Sequence, residues 1–164
     1  GDIPFPPATN NLQHEVELVV AIGQGGLDIP EAEAMSYVYG YATGIDFTRR
    51  DLQTLAREKQ HPWELGKGMD YGAPISPIVP VTNGKLANNA AIWLKVNGET
   101  RQSAQLSQMT WNVAEIINRL SHFFALAPGD LIYTGTPSGV STVIRGDAIQ
   151  CGIEGLPEVG VTLV

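Results

Sequence analysis

The sequence is short of cysteine, histidine, cations and long apolar runs, and each shortage excludes a class of function. Its one thiol, Cys151, cannot close an internal disulfide, so a stapled secreted domain is excluded. With no histidine beside it, Cys151 reads as a core residue, not a nucleophile. Three histidines and one cysteine supply no cluster with zinc-ligand spacing. Lysine and arginine total 10 against 17 aspartates and glutamates, a net charge of −7, and no basic stripe interleaves with aromatics. Nucleic acid and anionic membrane surfaces are therefore not expected as partners. No apolar run reaches the ~18 residues of a membrane span. The opening residues, Gly1 to Pro7, resemble neither a signal nor a transit peptide, and a cytoplasmic protein is the expectation. GQGG and LGKGMD lack the spacing of a phosphate-cradling loop, and GTPSG is not a nucleophile elbow.

What the chain has in quantity is glycine (18) and proline (11) within 164 residues, enough for one domain cut into many short strands. The expected class is α+β, mostly β, with a few short helices. GDIPFPPATNN reads as an irregular lead-in, followed by a strand from His14 to Gly23. Pro30 and the following EAEAMSYVYGYA suit a helix with Gly40 near its end. A second helix is predicted from Asp46 to about Gln60, with Phe47, Leu52, Leu55 and Ala56 as its apolar stripe and Pro62 as its stop. Leu86 to Gln105 reads as a hairpin around Asn97-Gly98. An amphipathic helix over Thr110 to Phe124, with Ile116, Ile117, Leu120 and Phe124 on one stripe, precedes strands in DLIYTG, DAIQCGI and VGVTLV.

The acidic residues carry the chemistry. Alternation along a strand puts Glu15, Glu17, Val19 and Ala21 on one face, and His14, Val16, Leu18 and Val20 on the other. Two carboxylates side by side on an apolar strand either compensate a hard divalent cation or mark an edge strand half in water. Asp46 is the natural third carboxylate, or a plain helix N-cap. On a helix opened by Asp46, Arg50 and Gln53 would share its face and could hold a substrate carboxylate, unless that face is only solvated. Lys67, between glycines, reads unaided as a surface lysine. Among the histidines, His14 points away from the glutamates and reads as structural, His61 could line a site, and His122 reads as a packing or surface residue.

The HEVEL strand, the D-x-x-x-R-D-x-Q segment beginning at Asp46, and PGD followed by TGTP-x-GV occur here in one order. Jointly they resemble the fumarylacetoacetate hydrolase family, in particular its acylpyruvate and fumarylpyruvate hydrolase branch. The resemblance covers nearly the whole chain. It implies a mixed β-sandwich roll over residues 1–164, usually dimeric, holding one Mg²⁺ or Mn²⁺ through Glu15, Glu17 and Asp46. It further implies that Arg50, Gln53 and Thr136 contact the substrate and that Lys67 steadies its oxo or enolate oxygen. The implied reaction is cleavage of a C–C bond in a 2,4-diketo acid, most naturally fumarylpyruvate to fumarate and pyruvate in gentisate breakdown. Isomerisation, oxaloacetate-type decarboxylation and a silent oxo-acid-binding module are the alternatives. Family hydrolases carry their water-activating His–Glu pair on an N-terminal lid. The stretch that would hold it does not occur in this sequence, so the expectation is a domain lacking that segment.

Overall fold

A computed structural model describes residues 1–83 and 86–164. In chain order the strands and helices are β1 (Asp2–Ile3), β2 (Leu12–Gln13), β3 (Val16–Ile22), α1 (Glu31–Ala34), β4 (Val38–Ile45), β5 (Thr48–Arg49), α2 (Arg50–Glu58) and α3 (Glu64–Lys67). They continue with β6 (Val79–Pro80), β7 (Ala91–Val96), β8 (Glu99–Gln105), α4 (Val113–Ser121), β9 (Leu131–Tyr133), β10 (Thr142–Val143), β11 (Ala148–Ile153) and β12 (Val159–Leu163). The described residues form a five-stranded sheet, β1-β12-β11-β7-β8, a four-stranded sheet, β6-β4-β3-β9, and a small sheet, β10-β2-β5. This is the α+β, mostly β roll.

The two larger sheets share one core. Val16, Leu18, Val20 and Ile22 from β3 meet Ile92 and Leu94 from β7 and Ile149 and Cys151 from β11. Their alternation is what a strand with one face on a core requires. The hairpin of β7 and β8 turns at Asn97 (φ 51°) and Gly98 (φ 81°), two positive-φ positions suited to this dipeptide. Among the described residues, no helix is long and apolar enough to cross a membrane.

Several expectations are corrected. The helix after Pro30 is a single turn, Glu31–Ala34, continued as a 3₁₀ turn over Met35–Tyr37. The remainder is β4, which pairs with β3 from Val16↔Ile45 to Ile22↔Val38. Gly40 therefore ends no helix. It lies in the strand where a Cβ would sit 2.4 Å from the Val79 carbonyl oxygen of β6. The lead-in also joins sheets: Asp2 and Ile3 pair in parallel with Thr162 and Leu163, and Leu12–Gln13 lies between β10 and β5. α2 begins at Arg50 and buries no residue, because Phe47 packs into the core before the helix starts and Leu55 is half exposed. α4 stops at Ser121, which leaves Phe124 outside it and exposed.

Candidate metal centre and active site

Glu15 immediately precedes β3, and Glu17 lies within it. β9 pairs with β3 only from Val19 to Ala21, but the two glutamates are 8% and 4% exposed, so the reading of a strand half in water does not hold. Asp46 follows the last residue of β4, and its backbone N–H donates to the Glu15 carbonyl at 2.8 Å. It is not a helix cap: α2 starts four residues later, after β5. Cross-strand pairing thus delivers all three carboxylates to one place, where each offers an oxygen within 4.8 Å of the others. Gly44 lies opposite Glu17, and a Cβ there would meet Val19 at 2.6 Å and the Tyr133 ring at 2.8 Å.

Two cations face these three anions. The Lys67 ammonium donates to Glu15 Oε2 at 2.6 Å, Asp46 Oδ2 at 2.6 Å and Thr48 Oγ1 at 2.8 Å. Lys67 arrives there because Gly66 lets α3 lie against α2: a Cβ on Gly66 would be 2.8 Å from Gln53 Cβ. Arg50 pairs with Glu15 Oε1 and donates to Gln13 Oε1 and Gln53 Oε1, so Gln53 holds the guanidinium in place. Asp51, next to Arg50, ties the lead-in to α2 by accepting from Thr9 Oγ1 and the Asn10 N–H. Burial of Asp51 is slight, and these hydrogen bonds outweigh it, holding its pKa below the usual carboxylate range.

The protonation pattern shows where charge is left over. Glu17 is contacted by no described ammonium or guanidinium; it accepts from the Gly135 N–H at 2.7 Å. Burial pushes its pKa up from the ordinary 4.5 to about 7, with Asp46 and Glu15 adding to the rise and the Gly135 bond opposing it. Burial also raises Asp46, although its bond to Lys67 works the other way. Burial disfavours the charged Lys67, but its hydrogen bonds to Asp46 and Glu15 prevail and raise its pKa. Three carboxylates against two fixed cations leave Glu17 uncompensated. A hard divalent cation is the species that an all-oxygen donor set of this charge accommodates.

The Thr136 hydroxyl donates to the Val16 carbonyl at 2.8 Å and accepts from Gln102 Nε2 at 2.8 Å. Its one proton is spent within the protein, so a substrate carboxylate could use it only by displacing Val16. His14 is fully buried on the far face of β3, with Nδ1 2.9 Å from Gln102 Oε1 and Nε2 2.9 Å from Ser141 Oγ. Burial lowers its pKa, so the neutral ring is favoured. His61 is exposed and lines a surface hollow with Pro62, Trp63, Glu64 and Lys67. His122 is 3.0 Å from Asp28 at the end of α4. A cavity of about 300 Å³, lined in part by Leu18, Ile92, Met109, Trp111 and the 134–137 turn, holds none of the three carboxylates.

The sequence reading missed Tyr133 and Gln102. The Tyr133 ring packs over Gly44 and its hydroxyl donates to the Ala73 carbonyl at 2.9 Å. Burial raises its pKa to about 12, with the charges of Asp46 and Glu17 adding to the effect. The available signal for Tyr133 was the glycine across the sheet, which becomes informative only once the strands are paired.

Residues 1–164 match the model of the fumarylacetoacetate (FAA) hydrolase C-terminal domain. The chain belongs to the fumarylacetoacetate hydrolase family. Within that family it is 48% identical over 161 residues to a fumarylpyruvate hydrolase of Ralstonia sp., covering 98% of this chain and 83% of the relative. It is 43% identical over 156 residues to a mitochondrial oxaloacetate decarboxylase of Dictyostelium discoideum, covering 95% and 72%. Among solved structures it superposes on the fumarylpyruvate hydrolase of Pseudomonas aeruginosa, in complex with Mn²⁺ and pyruvate, with a TM-score of 0.98 and 48% identity. That match covers 99% of this chain and 70% of the other.

Proposed function

We propose that this member of the fumarylacetoacetate hydrolase family is a metal-dependent hydrolase that cleaves a C–C bond in an acylpyruvate, fumarylpyruvate being the substrate. The observation that carries the reading is the buried carboxylate triad beside Lys67, Arg50 and Gln53, in a chain 48% identical to a fumarylpyruvate hydrolase. Glu15, Glu17 and Asp46 would hold one Mg²⁺ or Mn²⁺, which supplies Lewis-acid polarisation of a keto oxygen when bound. The Arg50 guanidinium and the Gln53 amide bind and orient the pyruvyl carboxylate. Lys67 places its ammonium where negative charge gathers on the oxo oxygen, stabilising the departing enolate. Water adds its oxygen to the distal acyl carbon. The C–C bond then breaks with its electron pair on the pyruvate C3, which takes up a proton, and fumarate leaves as the acid.

In this reading the chain is one domain, acts as a cytoplasmic homodimer and serves the breakdown of aromatic compounds such as gentisate. The 43% identity to an oxaloacetate decarboxylase supports a second reading, in which the same residues stabilise an enolate without an attacking water. The deciding test is loss of fumarylpyruvate absorbance, with pyruvate quantified, in the presence of Mn²⁺, Mg²⁺ or excess chelator. Metal-dependent loss with equimolar pyruvate is expected. Consumption of oxaloacetate without action on fumarylpyruvate would replace the hydrolase reading by the second one. Metal-independent turnover would overturn both.

A further inference from the structure

β8 is the outer strand of the five-stranded sheet, and only one of its residues is fully buried. That residue is polar: Gln102, 1% exposed, shares the core-facing side of the sheet with Leu94 across the ladder. A buried carboxamide is tolerated when its donors and acceptor are met, and here every one is. Gln102 Oε1 accepts from the Val16 N–H at 3.1 Å and from His14 Nδ1 at 2.9 Å. Gln102 Nε2 donates to Thr136 Oγ1 and to the Pro137 carbonyl, both at 2.8 Å.

The partners matter more than their number. Val16 lies between Glu15 and Glu17. β9 pairs with β3 only from Val19 to Ala21, so at Val16 no strand among the described residues pairs on that side. The Val16 N–H and carbonyl are instead taken by Gln102 and by Thr136, side chains standing in for a missing strand. The same turn sends the Gly135 N–H to Glu17. Its far end is tied through Ser141 to His14. Between those ends Gly139 (φ +102°) lies so close to β8 that a Cβ would sit 2.1 Å from the Arg101 carbonyl oxygen. One carboxamide therefore joins the strand bearing two carboxylates, the turn bearing Gly135 and Thr136, and the neighbouring sheet.

We infer that Gln102 is a positioning residue: it sets the Glu15–Glu17 strand against the 134–137 turn, and so fixes Glu17 and Thr136 relative to the substrate. Its effect on turnover rests on the functional reading above; its effect on geometry does not. The test is amide hydrogen exchange in the metal-free protein, with turnover of fumarylpyruvate measured alongside. Gln102→Met removes all four bonds while roughly keeping the side-chain shape. Protection is expected to fall at least tenfold at Val16 and also at Gly135, which Gln102 does not touch, and to stay unchanged at Val161 in β12. Gln102→Glu keeps the acceptor for Val16 and loses the donors to the turn, so it should expose Gly135 while sparing Val16. kcat should fall at least tenfold in both variants, with a smaller change in KM. Unchanged protection at Gly135, or unchanged kcat despite its loss, overturns the proposal. If the wild-type protein does not turn over fumarylpyruvate, the functional reading fails and the exchange pattern alone judges Gln102.

Discussion

Metal binding to this site is expected to carry a proton signature that belongs to Glu17. Its carboxyl holds a proton up to about pH 7 in the metal-free protein, because it is buried beside two other carboxylates and contacts neither Lys67 nor Arg50. A cation needs the ionised form, so binding below that pH must expel the proton. With a pKa of about 7, roughly one Glu17 in ten is ionised at pH 6, and apparent Mn²⁺ affinity there should be about tenfold weaker than at pH 8. Calorimetric titration in two buffers of different ionisation enthalpy counts the proton: about one released per metal at pH 6, and far less at pH 8. The same shift acts on stability. A folded pKa raised above the unfolded one contributes stability that is complete below pH 4.5 and lost as pH rises through 7. For Glu17, 4% exposed, the rise from 4.5 to about 7 corresponds to roughly 3 kcal/mol. Metal-free protein should therefore melt at a lower temperature at pH 8 than at pH 5, and Glu17→Gln should remove most of that dependence. Affinity that is flat between pH 6 and pH 8, with no proton released, would refute the reasoning.

Lys67→Met should lower kcat by about 10²- to 10³-fold, the usual cost of losing one donor to a developing oxyanion, while Mn²⁺ affinity stays level or tightens, because the ammonium no longer engages Glu15 and Asp46. Equal losses in kcat and affinity would assign Lys67 to holding the carboxylates instead. Asp46→Ala should abolish measurable Mn²⁺ binding by calorimetry, since two carboxylates make a poor site for a hard cation; wild-type affinity would remove Asp46 from the ligand set. Gly44→Ala must push a methyl against Val19 and the Tyr133 ring, costing about 1–3 kcal/mol, which thermal unfolding reads as a fall of several degrees.

The general class and much of the site were legible because their signals are local or ordered along the chain. Alternation placed Glu15 and Glu17 on one face, and the Asn97-Gly98 pair announced its hairpin. The family resemblance, not spacing, assigned Asp46, Arg50, Gln53 and Lys67 to the same site. What failed depended on partners far away. EAEA after Pro30 makes one true helical turn, but Val38 to Ile45 is claimed by pairing with β3, which no local propensity reports. Asp46 looked like a cap because the short strand between it and α2 exists only through its pairing with β2. In ETRQSAQ nothing distinguishes Gln102 from the exposed residues around it; its burial is created by the turn at Pro137 and the strand at Val16.

Glu17 lies in β3, and Glu15 and Asp46 flank the paired ends of the adjoining antiparallel strands β3 and β4. Sliding one strand past the other by a single residue would turn Asp46 to the opposite face and split the set. A cation gripping all three is thus a reader of alignment as well as a reagent. By mass action, a cation bound to all three carboxylates would favour the aligned pairing of β3 with β4 over its slipped alternatives.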